Sequence, residues 1–277
     1  MEVRYTPDSE SYKKMNSDEL RKYFLIDNLF IPGEIELVYT DVDRAIIGSV
    51  VPTNSPLKLM GSKKELASEY FAERREVGII NIGAVGKIKA GKDEYIIQNK
   101  EALYIGRGTK EIEFFSNDQS NPAKFYIISY PAHKELPCKS IKLGEAESVS
   151  LGQLENSNKR TIHKFILPSK LETCQLVMGL TELEQGNVWN TLPPHSHQRR
   201  TEIYMYFNLK EDSVVFHFMG EAKETRHIVV RNQQVVISPS YSIHSGVGSQ
   251  NYSFIWAMGG ENQEFDDMDW VSINEIQ

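Results

Sequence analysis

The stretch PPHSHQRRTEIYMYFN, residues 193–208, sets His195 and His197 one residue apart, puts Glu202 five positions beyond them, and continues as an aromatic run. In an extended strand residues i and i+2 project to the same face, so the two imidazoles can be directed at one point. The intervening Gln198-Arg199-Arg200-Thr201 has a length suited to a turn into the next strand. Glu202 then faces the same cavity as Tyr204 and Tyr206. A fourth donor is available in ISPSYSIHSGVG (237–248), where Pro239 and Gly246 bracket a turn-rich stretch that presents His244 from another strand. Three imidazoles and one carboxylate suit a divalent first-row ion such as Zn, Fe, Mn, Co or Ni, with positions left open for water or substrate.

The same stretch also repeats. AERREVGIINIG (72–83) can be laid on HQRRTEIYMYFN (197–208), matching Arg74-Arg75 with Arg199-Arg200. Downstream, EALYIGRGTKEI (101–112) can be laid on QVVISPSYSIHS (234–245), matching Gly106 with Pro239 and Glu111 with His244. Two matches in register predict two copies of one β unit, of which only the second carries the ligand set.

The rest of the chain agrees with a β reading. Short runs such as IELVYT, VGIINIG, KFYIISY, VVFHFM and SFIWAMGG are rich in β-branched and aromatic residues and are separated by Gly, Pro, Asn, Asp and Ser. Helical signals are few. SDELRKYFLIDNLF reads as one short helix, capped by Ser17 with Glu19 in its first turn, and residues 62–76 are the only other candidate. The expectation is therefore an all-β protein of two antiparallel barrels or sandwiches with a few short helices. Residues 130–160 turn polar and lose their alternation, which marks a linker and puts a boundary near residue 150. Residues 1–150 form the unit without ligands and residues 151–277 the metal-binding unit.

Composition narrows the partners. The chain has 277 residues, 40% of them hydrophobic, and a formal charge of −7 with no basic block. Nucleic acid and anionic lipid are not expected to bind it. Its polar N-terminus and the lack of a long apolar run predict a cytoplasmic protein. Cys138 and Cys174 form no CxxC pair and read as reduced structural thiols. His133, His163, His217 and His227 lack the partners that the motif histidines have, and read as ordinary strand or loop residues.

His-x-His-x4-Glu followed by Pro-x4-His resembles the two metal motifs of the cupin superfamily, whose small antiparallel barrel binds its ion inside. Two repeats make the chain bicupin-like. A longer resemblance runs through FAERREVGIINIG, ALYIGRGTKEI, PAKFYIISYPAH, LETCQLVMGLTEL, ETRHIVV, ISPSYSIHSGVG and GENQEFDDMD. In that order these segments are similar to the 5-keto-4-deoxyuronate isomerases (4-deoxy-L-threo-5-hexosulose-uronate ketol-isomerases) of bacterial pectin breakdown. The resemblance implies one zinc ion per chain on His195, His197, Glu202 and His244, a small uronate substrate, and a homohexamer. It further implies an intramolecular oxidoreductase that converts 5-dehydro-4-deoxy-D-glucuronate to 3-deoxy-D-glycero-2,5-hexodiulosonate.

Such a reaction needs a base and a cation for the substrate carboxylate. Candidates for the base are Tyr204, Glu261 and His227; candidates for the cation are Arg199, Arg200 and Arg226, which stand closest to the motif strands in sequence. Two competing readings use the same four ligands: a cupin dioxygenase with Fe(II), separable by oxygen consumption, and a non-catalytic sugar-binding cupin, separable by absence of turnover.

Overall fold

The computed structural model describes residues 1–261 and 264–277. The chain is mostly β, and contacts divide it into two units that do not follow chain order. Unit 1 comprises residues 1–4, 28–146 and 165–177; unit 2 comprises residues 5–27, 147–164 and 178–277.

In unit 1 a seven-stranded sheet runs in the order Glu2–Arg4, Ile35–Thr40, Ile46–Val50, Phe125–Pro131, Arg75–Asn81, Ala102–Ile105, Lys139–Ile141. A four-stranded sheet is built from Leu57–Lys58, Ile112–Ser116, Gly86–Ala90 and Asp93–Ile97. Inward residues of both sheets, among them Val77, Ile79, Ile88, Leu103, Ile105, Phe114, Phe125 and Ile127, make one apolar core. Each such side chain contributes about 1.5–3 kcal/mol relative to exposure, so these residues stabilise the unit by packing.

Unit 2 repeats the plan. Its seven-stranded sheet runs Glu147–Leu151, Arg160–Ile166, Val177–Leu183, Ser253–Gly260, Arg200–Phe207, Gln234–Ser238, Leu25–Ile26. Trp189–Asn190, Ser245–Gly248, Val215–Glu221 and Glu224–Val230 form the four-stranded sheet, and His195–Ser196 pairs with Asp269–Trp270. Among the described residues no sheet closes on itself, so of the barrels or sandwiches expected each unit shows two open sheets.

Strand register matches the two copies. Val77 lies opposite Ile105 in unit 1, as Glu202 lies opposite Ser238 in unit 2. Arg75 and Arg200, aligned in sequence, are both buried and both bind main-chain carbonyls. Where the second copy needs a carboxylate, the first has valine.

Local differences from the sequence reading have simple causes. The first helix spans Ser17–Phe24, but its cap is Asn16, whose side chain accepts from the amides of Asp18 and Glu19 while Glu19 accepts from the Asn16 amide. Its apolar tail leaves the helix at Leu25 and pairs with Val236, completing the sheet of unit 2. The second helical candidate shrinks to Lys63–Leu66, stopped where Ala67 turns left-handed at φ 51°. Residues 130–160, expected as a linker, contain the edge strand Glu147–Leu151, which is largely exposed and therefore short on apolar residues. Among the described residues no helix is long and apolar enough to cross a membrane.

Candidate metal centre

His195 and His197 leave the short segment before strand Arg200–Phe207, Glu202 sits on that strand, and His244 ends the turn before Ser245–Gly248. All four are buried, none more than 6% exposed. Their donor atoms lie within 4.8 Å of one another. Glu202 Oε2 is 2.8 Å from His244 Nε2 and 3.0 Å from His197 Nε2, and His244 Nε2 is 2.9 Å from His195 Nε2.

The electrostatics suit a cation. Burial alone would raise the Glu202 carboxyl, but the close His244 and His197 ring nitrogens outweigh it and hold the group well below the usual carboxylate range. Burial pushes His195 down to about 2, with His244 adding to the effect, so its ring stays neutral and a lone pair is available. Two imidazole nitrogens facing each other at 2.9 Å share at most one proton, and a divalent ion satisfies both lone pairs at once. Three imidazoles and a carboxylate therefore fit a divalent first-row ion.

Supporting bonds fix the ligands. His197 Nδ1–H donates to the carbonyl of Asp267, leaving Nε2 for the centre. Arg200, buried at 1% exposure, donates to the carbonyls of Glu264, Phe265 and Asp267 and so ties the chain segment after Gly260 to the ligand strand. Behind the cluster, the Tyr206 hydroxyl and His217 Nδ1 are 2.7 Å apart and Ser238 Oγ is 3.3 Å from His217 Nε2. His217, which sequence placed among ordinary histidines, is completely buried next to the centre and is pushed down to about 3 by desolvation.

The four ligand positions open onto a cavity of about 560 Å³, three of them in its wall. One wall is aromatic: Trp256 can lie flat across the neighbouring strand because a Cβ on Gly179 would sit 2.1 Å from its ring, and its Nε1 donates to Thr181. Trp270, with its ring centroid 5.0 Å from that of His195, lines the same space. Tyr204 also faces the cavity, its hydroxyl 3.2 Å from Thr191 Oγ1. Burial, reinforced by Glu202, lifts that phenol well above its ordinary value, so Tyr204 is a hydrogen-bond donor and a poor base.

The other sequence candidates do not line the cavity. His227 is exposed on strand Glu224–Val230, its ring 5.8 Å from that of Phe216. Glu261 and Arg199 face solvent and pair with each other at 3.4 Å. Arg226 is occupied by Glu224 and by the carbonyls of Thr225 and Lys13, and Arg200 by the carbonyls already named. The arginines nearest the motif strands in sequence turn away because a strand carries neighbouring side chains to opposite faces. The cavity instead holds Arg160, Lys164 and Asp266. Arg160 and Lys164 share a face at spacing four on strand Arg160–Ile166, a period-two signal that the polar composition around them hid.

The KduI/IolB family model matches residues 36–273. The chain is 52% identical over 277 residues to a Caldicellulosiruptor bescii protein, covering all of both chains, and 53% identical over the same length to one from Lachnoclostridium phytofermentans, again covering all of both. Both are named 4-deoxy-L-threo-5-hexosulose-uronate ketol-isomerase. Among solved structures an IolB-like protein from Salmonella typhimurium LT2 superposes with a TM-score of 0.70 at 14% identity, covering 90% of this chain and 96% of that one. At that identity the likeness speaks for the fold.

Proposed function

Because the chain belongs to the KduI/IolB family, we infer that it is the uronate ketol-isomerase after which its full-length relatives are named. It converts the open-chain aldehyde 5-dehydro-4-deoxy-D-glucuronate to 3-deoxy-D-glycero-2,5-hexodiulosonate in pectin and uronate breakdown. The observation that carries this reading is a buried His195, His197, Glu202 and His244 cluster opening onto a cavity of about 560 Å³ in a chain half identical to those isomerases.

The reaction moves one proton from C2 to C1 and one from the C2 oxygen to the C1 oxygen, so it needs no oxidant. The barrier lies in removing a barely acidic C–H proton and in the negative charge that then develops on both oxygens. His195, His197, Glu202 and His244 would hold a divalent ion, which we assign as zinc, and that ion would supply Lewis-acid stabilisation of the charge. Tyr204, kept neutral by burial, donates a hydrogen bond to a substrate oxygen. Asp266, the one carboxylate besides Glu202 among the described residues lining the cavity, takes the proton from C2 and returns it to C1. Trp256 and Phe265, whose rings pack 5.4 Å apart, exclude water from one side.

The finer parts of this reading are the cupin-barrel description of each sandwich, the confinement of the chemistry to unit 2 with unit 1 as scaffold, a homohexamer, and a cytoplasmic location. The apolar core of unit 1 supports the second of these; the others rest on the resemblance. The experiment is anaerobic: metal-loaded protein is mixed with the keto-deoxyuronate and its aldehyde proton followed by NMR. Loss of the signal without oxygen supports an isomerase, and dependence on oxygen or persistence of the signal overturns it.

A further inference from the structure

Strand Arg160–Ile166 pairs antiparallel with Glu147–Leu151, and the hairpin turns one face to the cavity: Val149 and Leu151 from the first strand, Arg160, Ile162 and Lys164 from the second. The two cations on this face differ. Lys164 already has company, with its Nζ 3.0 Å from Glu147 and 4.3 Å from the centroid of Phe265. Arg160 has one hydrogen bond, from Nη1 to the carbonyl of Asn158 at 2.8 Å, and no carboxylate partner among the described residues. Desolvation lowers its ordinary value, with only the phenols of Tyr204 and Tyr252 acting against that fall.

A half-buried guanidinium in a cavity wall, without an anion, is an unfavourable arrangement unless an anion arrives. Its planar fork matches a carboxylate, and a charge-assisted pair is worth most where water is scarce. The keto-deoxyuronate is bipolar in the sense this cavity requires: oxygens to be activated at C1 and C2, and a carboxylate at C6. The metal ligands occupy one part of the wall and Arg160 another.

We propose that Arg160 is the subsite for the substrate carboxylate, setting which end of the chain meets the His195, His197, Glu202 and His244 cluster and selecting uronates over neutral sugars. The assignment rests on the isomerase reading above. Arg160→Gln and Arg160→Lys in the full-length, metal-loaded protein test it. Expected for Gln is a KM for the keto-deoxyuronate raised about 30- to 100-fold, the range of one charge-assisted contact, with kcat within about threefold and metal content unchanged. Lys should recover part of the loss.

A second readout separates charge recognition from a merely structural role. Galacturonate and galactose differ at C6, so the ratio of their inhibition constants reports the carboxylate alone. Wild type should prefer galacturonate by about tenfold or more, and Arg160→Gln should bring the ratio near one. Active wild type with an unchanged KM, or an unchanged ratio, in the Gln variant overturns the subsite and leaves the isomerase standing. Wild type without turnover removes the isomerase and the subsite together.

Discussion

Arg200 and His197 meet at one carbonyl oxygen: His197 Nδ1–H donates to Asp267 O, Arg200 Nη2 donates to the same oxygen at 3.2 Å, and Nη2 lies 3.3 Å from the imidazole nitrogen. Because Nδ1 is spent on that carbonyl, Nε2 is the atom left to face Glu202. The arginine thus holds in place the carbonyl that fixes the tautomer of His197.

Arg200→Lys removes the fan of donors while keeping the charge. Metal affinity should fall about 10- to 100-fold, measured by competition with a chelator. Undiminished affinity in a folded variant would deny Arg200 this positioning role.

His244→Ala takes away a donor 2.8 Å from Glu202 and should lower metal content per chain, read by elemental analysis. Glu111→Gln, at the matching position of the first copy, should leave metal content as it is. Glu111 is an exposed partner of Lys58 at 3.0 Å, and such surface pairs contribute about 0–1 kcal/mol. Equal loss of metal in both variants would refute the division between the copies.

Asp266→Asn keeps the shape of the side chain and removes its basicity. We expect kcat to drop about 10²- to 10⁴-fold with metal content and KM little changed. Full activity of the Asn variant would move the proton transfer to another group.

The metal-free protein should lose stability on acidification. His195 is held down to about 2 and His217 to about 3, in both cases first by burial, so neither takes up a proton in the folded chain between about pH 4 and 6.5. The unfolded chain does. It therefore binds more protons, and stability rises with pH through that window and falls as pH drops, by about 1.4 kcal/mol per pH unit per histidine. Glu202, held below its ordinary value, acts in the same sense once pH falls under about 4.5. Urea midpoints at pH 7 and 4.5 check this, and a flat profile would contradict the burial of the two rings in the metal-free state.

Adjacent residues were enough to find the buried cluster that could hold an ion. His195, His197 and Glu202 lie within eight positions, and strand periodicity states which side chains share a face. His244 followed because a turn between Pro239 and Gly246 is itself a local signal. The doubling of the β unit was legible for the same reason, since strand patterns and paired arginines survive as text. At the position where Glu202 stands in the second copy, the first copy carries Val77.

What the sequence could not state is which distant segments close around those ligands. Arg160 and Lys164 sit in a polar stretch that reads as linker, and they become cavity wall only because Glu147–Leu151 pairs beside them at the sheet edge. Asp266 reaches the cavity along the segment that Arg200 pins, some 60 residues away in the chain. Arg199 and Arg226, the cations chosen for nearness to the motif, pair with Glu261 and with other carbonyls, and His227 and Glu261 face solvent. Local rules fix the face of a strand and the atoms it offers, whereas strand order and long-range pairing, paid for by burial of the whole core, decide what that face looks upon.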